Sequence, residues 1–330
     1  MTYHPAALLR NPNWKRPTWD DVRIARRILD ALKLKLGAER SEYPTTRNSK
    51  AYEYFLHGRG YASSVGGKDQ DLAIKLFQKA VALDPEFVRA WIKLAQSSAN
   101  YSMYSKGGKP GQKIAAEAAE KATELAPEYA QSHMANGYAF LASKQYAAAE
   151  AEFFEAIERD PKLSTAYYYL ARSAFHQGQL EKALKYFNKS TDLNSDDYES
   201  PLLAIQIYEK FHDEDNAVRT AGIGVDRVKR YLEDYRNNQR AYYLGMGGLT
   251  KLGENELAKK WAERAYQLAP DDVATRYNLA CFYARIGDPE KALDFLENSI
   301  SSRSWIENDP DLEPLHSHPR FQAVLDALPT

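Results

Sequence analysis

The chain has 330 residues, 44% hydrophobic and 27% charged, and its 44 Lys and Arg nearly balance 45 Asp and Glu. It lacks the basic excess of a general nucleic-acid binder, and no apolar run approaches the ~20 residues a membrane span needs. A single cysteine, Cys281, excludes an internal disulfide and a multi-cysteine metal site and fits a reducing compartment, while 17 Gly and 15 Pro are too few for a turn-rich all-β chain.

The first residues have no apolar core of a signal peptide, so a cytoplasmic protein is expected. Residues 1–48 read as a polar arm and an amphipathic capping helix, DDVRIARRILDALKLKL (20–36). From there the chain repeats itself. Segments close alike at Pro85, Pro127, Pro161 and Pro270, and Ser195 stands in register 34 residues after Pro161. Five residues before each closing position sit Ala80, Ala122, Ala156, Ser190 and Ala265. Twelve before sit Ala73, Ala115, Ala149, Ala183 and Ala258. Eight before come Phe77, Ala119, Phe153, Phe187 and Ala262. These offsets share one helical face, where small residues admit a neighbouring helix and Phe fills the space left. The proline ends the helix. A second amphipathic helix precedes each, so every unit is a helical hairpin that needs neighbours to bury its apolar face.

Seven units span 49–86, 87–128, 129–162, 163–197, 198–238, 239–271 and 272–302. The first two have stretched hairpin loops, ASSVGGKDQ (62–70) and YSMYSKGGKPG (101–111). The fifth has a long second helix whose Gly222 and Gly224 predict a kink or a shifted superhelix. Residues 303–330 read as a capping loop and a short helix near 318–328.

The 34-residue register resembles the tetratricopeptide repeat. That resemblance implies an all-α, right-handed superhelix of about seven hairpins between helical caps. YNLACFYARIGDPEKALDFLENSI (277–300) and NDPDLEPLHSHPRFQAVL (308–325) are similar to bacterial repeat regions that lie C-terminal to nucleotide cyclase, protein kinase or winged-helix regulator domains. The resemblance implies a cytoplasmic scaffold or adaptor that recognises a partner segment in its concave groove. The competing expectation is the regulatory half of a signalling enzyme whose effector domain this chain lacks.

Chemistry-bearing motifs are thin, so neither an enzyme nor a cofactor is expected. GGKPGQK (107–113) lacks the Gly-x4-Gly-Lys-Ser/Thr spacing of a phosphate loop, and GIGVDR (222–227) lacks the third glycine of a dinucleotide site. His212–Asp215 reads as a solvated turn and helix cap rather than a cation site. His316 and His318, near Asp309, Asp311 and Glu313, are the one remote metal-enzyme alternative. Cys281 reads as a packed small residue.

The inner helices offer a better constellation. Projecting the register places Arg59, Arg89 and Lys93 on the groove from the first two units. Tyr138, Tyr168, Tyr169 and Arg172 come from the middle, and Arg240, Tyr243, Tyr277 and Asn278 from the end. Tyrosine supplies contact area with a polar tip and arginine supplies planar carboxylate recognition, so a protein or peptide partner with acidic groups is expected. Some tetratricopeptide proteins hold a chaperone's C-terminal carboxylate with a Lys/Asn/Lys/Arg clamp. Asn278 matches one position of it, but Tyr243 and Gly247 stand where its companions belong. Net charge of +6 over residues 1–60 and −6 over 271–330 adds an expectation of weak head-to-tail self-association.

Overall fold

The computed structural model describes residues 46–62, 67–104, 108–297, 306–307 and 309–327. The chain divides into Met1–Thr45 and Thr46–Thr330, and all described residues lie in the second unit. The expected N-terminal arm and capping helix lie outside the described residues.

Among the described residues, seven helical hairpins succeed one another. They pair α1 (Ser49–Ala62) with α2 (Gly67–Leu83), α3 (Val88–Tyr104) with α4 (Gly108–Leu125), and α5 (Ala130–Ala142) with α6 (Tyr146–Arg159). Next come α7 (Ser164–His176) with α8 (Leu180–Leu193) and α9 (Glu199–Lys210) with α10 (Glu214–Asp234). The last two are α11 (Gln239–Lys251) with α12 (Asn255–Leu268), and α13 (Val273–Arg285) with α14 (Pro289–Leu296). A 3-10 turn at Pro310–Leu315 packs on α13, and α15 (Pro319–Ala327) packs on α14. No strand occurs among the described residues, and no described helix is long and apolar enough to cross a membrane.

The small-residue register read from the sequence is the packing register. Ala73, Ala80, Ala115, Ala122, Ala149, Ala156, Ala183, Ala258 and Ala265 are fully buried, as are Phe77 and Phe153. The glycines of the preceding helices complete this close fit. A Cβ on Gly58 would stand 2.7 Å from the Phe77 ring, and one on Gly137 2.2 Å from the Phe153 ring. Pro85, Pro127, Pro161 and Pro270 all fall in the turns between hairpins.

The expectation of stretched hairpin loops changes. Little of 101–111 is a loop: α3 runs to Tyr104 and α4 begins at Gly108. Pro110 stands in the first turn of α4, where a missing N–H costs nothing, and Gly111 lets that turn approach Ser98 and Ser102, about which a Cβ would sit 3.1 Å away. Likewise, within 62–70, Ala62 belongs to α1 and residues 67–70 to α2. In the fifth unit, α10 is one unbroken 21-residue helix. Its Gly224 admits Leu202, 2.5 Å from where a Cβ would be, whereas Gly222 faces open space.

Within the later hairpins the turn repeats a left-handed residue. Gly178, Gly253 and Gly287 have φ of 71°, 77° and 79°, and Lys144 and His212 adopt φ of 58° and 55° at the corresponding places. Buried residues form a continuous core from Ala171 to the C-terminal turn and α15, where Leu312, Leu315 and Phe321 close over the last hairpin.

Candidate functional site

Six helices and the turn between α8 and α9 surround a hollow of about 310 Å³. Ala62 of α1, Gln96 and Asn100 of α3, and Tyr168, Tyr169 and Arg172 of α7 line it. Ser190 of α8, Asn194, Asp196 and Asp197 of the turn, Glu199 of α9 and Arg240 of α11 complete the wall. The hollow joins hairpins distant in sequence because the first helices of successive units pack side by side, as α1 does on α3 and α9 on α11.

A charged network forms its floor. Arg240 donates to the Glu199 carboxylate Oε2 at 2.7 Å, to the Tyr168 hydroxyl at 3.2 Å and to the Tyr243 hydroxyl at 2.8 Å. Tyr168 in turn donates to Glu199 Oε2 at 2.6 Å, and Arg172 donates to the Tyr168 oxygen at 3.0 Å. Burial alone would raise the Glu199 carboxyl, but the Arg240 guanidinium, its hydrogen bond and the Tyr168 hydroxyl outweigh it and hold the group below its usual range. For Arg240, burial works against the cation and Glu199 reverses it, leaving the guanidinium firmly charged. Tyr169 builds the aromatic wall, edge-on to Tyr138 at 4.6 Å and to Tyr168 at 5.0 Å, and stacked on Phe153.

The turn at Asn194–Asp197 is fixed from behind. Arg227 of α10 donates to the carbonyls of Thr191, Asn194 and Asp197 at 2.8–3.1 Å, and Asp197 Oδ1 accepts from the N–H groups of Glu199 and Ser200. By contrast the Asp196 carboxylate is exposed and makes no hydrogen bond or ion pair among the described residues, and the half-buried Asn100 amide makes no hydrogen bond among them either.

Of the residues projected from the register, Tyr168, Tyr169, Arg172 and Arg240 meet at this hollow. Tyr138 and Tyr243 stand behind it as buried packing. Arg59 and Arg89 lie over the Phe55 ring at 5.9 and 5.5 Å, and Lys93 donates to Gln96 Oε1. The last two are drawn elsewhere: Tyr277 donates to Asp309, and Asn278 to the Ala274 carbonyl of its own helix. Glu199, Asp196 and Asn100 escaped the projection, although Glu199 comes directly after a capping Asp-Asp-Tyr turn.

The histidine constellation is not assembled. His316 stacks on Phe321, and His318 Nε2 lies 3.3 Å from Glu290. The ligating atoms that do converge among the described residues belong to Cys281, Asp309 and Asp311. Arg285 already stands 3.4 Å from Asp311 as a resident cation, and burial together with the two carboxylates pushes the Cys281 thiol well up. Asp213 caps α10 by accepting from the Asn216 N–H at 3.2 Å, and Glu214 pairs with Lys251, so that acidic run serves the helix end.

Three models of the tetratricopeptide repeat match the chain, at residues 113–164, 164–197 and 273–304. No curated protein matches it. Similar solved structures include PilF of Pseudomonas aeruginosa, at 20% identity over 68% of this chain and 94% of that one, with a TM-score of 0.45. A thermophilic tetratricopeptide protein of Thermus thermophilus is similar at 16% identity over 61% and 98%, with a TM-score of 0.49. Yeast Tom70 is similar at 16% identity over 87% and 66%, with a TM-score of 0.46.

Proposed function

The chain is a tetratricopeptide-repeat protein, and from that premise we propose that it is a scaffold holding a partner's peptide segment in the hollow between α3, α7, α9 and α11. A protein-interaction role comes from the repeat architecture itself. The observation that carries the finer reading is the wall of the hollow. It sets two tyrosine rings beside amide, hydroxyl and carboxylate groups from separate repeats, a surface suited to an extended chain. The reading requires recognition and no bond-making step.

Selection from a displayed library of random peptides tests it. Thr165 is exposed on the rim and its side chain makes no hydrogen bond among the described residues, so Thr165→Trp obstructs the hollow without disturbing packing. Peptides enriched on the wild type should lose binding to Thr165→Trp. Equal binding to both proteins, with unchanged melting temperature, would remove the hollow from consideration.

A further inference from the structure

The arginines of the hollow invite an acidic ligand, yet the ion pair presents its other half. Arg240 is the buried member, with a side chain 10% exposed, while the Glu199 side chain is 26% exposed. All the hydrogen bonds of the Glu199 carboxylate fall on Oε2. Its Oε1 accepts none among the described residues and is not sealed from solvent. The terminal nitrogens of Arg240 donate to Glu199, Tyr168 and Tyr243. Near Glu199 lies the exposed Asp196 carboxylate, which accepts no hydrogen bond among the described residues although its charge acts on Arg227 behind the turn. Arg227 and Arg230 stand behind that turn, bonded to its carbonyls, and do not line the hollow.

An incoming group therefore meets Glu199 Oε1 and the Asp196 carboxylate, which accept no hydrogen bond among the described residues, beside the Arg172 cation on Tyr168. The geometry points to a partner segment that places a Lys or Arg side chain in this hollow, donating to Glu199 Oε1 and to Asp196, with its aliphatic stem along the Tyr168 and Tyr169 rings. This rests on the hollow being the binding site and adds the chemistry of its occupant. An anionic side chain would have to displace Glu199 from a guanidinium that is buried with it. An ammonium or guanidinium adds to the network without breaking a bond, and charge-assisted donors are the stronger kind. Glu199 is thus the specificity-determining residue of the site. It turns an arginine-lined wall into a cation-accepting one.

The experiment uses the random-peptide library on the full chain. Wild type should enrich peptides with a fixed Lys or Arg, and replacing that residue by Gln in a synthetic copy should weaken binding about 10-fold or more. Glu199→Gln should abolish the basic preference, and Asp196→Asn should weaken the same peptides several-fold, with each loss diminished at high salt. Glu199→Gln leaves Arg240 without its counter-charge. If that variant unfolds, Asp196→Asn and the Lys→Gln peptide decide, since neither touches the ion pair. Enrichment of acidic peptides, or of peptides with no charge bias, that Thr165→Trp still blocks would overturn the cationic occupant and leave the hollow standing. Enriched peptides that Thr165→Trp does not block would overturn both.

Discussion

The tightest packing in the chain offers a quantitative test in the pair Gly137→Ala and Gly222→Ala. Both glycines are interior to helices, so alanine gains the same intrinsic term, about 1 kcal/mol. Their surroundings differ. A methyl on Gly222 meets nothing within 4 Å, whereas one on Gly137 meets three atoms of the Phe153 ring at 2.2, 2.6 and 2.8 Å. Carbon atoms rest at about 3.5–4.0 Å, so the ring must retreat by more than ~1 Å. Phe153 is fully buried and stacked on Tyr169, which leaves little room for it to move. Overpacking of this kind costs about 1–3 kcal/mol, and a clash this close belongs in the upper part of that range. Gly137→Ala should then destabilise by ~1–2 kcal/mol and Gly222→Ala stabilise by ~1 kcal/mol, once the helix term is set against the clash. Urea unfolding monitored by circular dichroism, compared at constant m, measures both. Phe153→Leu in the Gly137→Ala background should recover part of the loss. Two alanine variants equally stabilised would refute the argument, because the ring would then be free to yield.

The other predictions concern turns, cap and pH. Lys144→Gly and His212→Gly should each stabilise by roughly 0.5–1 kcal/mol, since both positions hold a left-handed conformation that costs a side chain about 1–2 kcal/mol; a fall in melting temperature would contradict this. Leu315→Ala, fully buried under the C-terminal turn, should cost about 2–5 kcal/mol, read by calorimetry, and an unchanged transition would show that the turn does not close the core. Burial, aided by Asp309 and Glu209 and opposed by Arg285, pushes the Asp311 carboxyl up to about 6. Between the unfolded value of about 3.9 and that point, the folded chain holds a proton the unfolded chain releases. Its stabilising contribution is therefore complete at low pH and lost as pH rises toward 6. Asp311→Asn should raise the melting temperature more at pH 7.5 than at pH 4, and equal shifts at both would count against the assignment.

The repeat was legible because its signals are local. Ala73, Phe77 and Ala80 announce a packing face through their spacing alone, and Pro85 announces the end of the helix. Tyr168, Tyr169 and Arg172 could be placed because they lie one after another on a helix whose face the register fixes. Glu199 could not, since an acidic residue in the first turn reads as a complement to the helix dipole. Its role depends on Arg240, 41 positions away. The loop at 101–111 misled for a related reason. Gly and Pro density marks a loop in sequence, but Pro110 occupies a permitted first-turn position, and Gly111 answers to Ser98 and Ser102 on the opposite helix. The glycines of α10 divide in the same way, one answering to Leu202 and the other to nothing.

Stacked hairpins ordinarily touch only their neighbours, and such arrays come apart at the ends one unit at a time. Two side-chain ties here reach further. Arg240 of the sixth hairpin bonds to Tyr168 of the fourth while both grip Glu199 of the fifth, and Arg285 of the seventh bonds to Glu209 of the fifth, which Lys251 of the sixth also holds. Opening any one of these units loosens two others, so the fourth to seventh hairpins should exchange their core amides as a single cooperative block, where hairpins linked only by contact would show a gradient toward the C-terminus. A segment seated on Glu199 would then stiffen α7, α9 and α11 together.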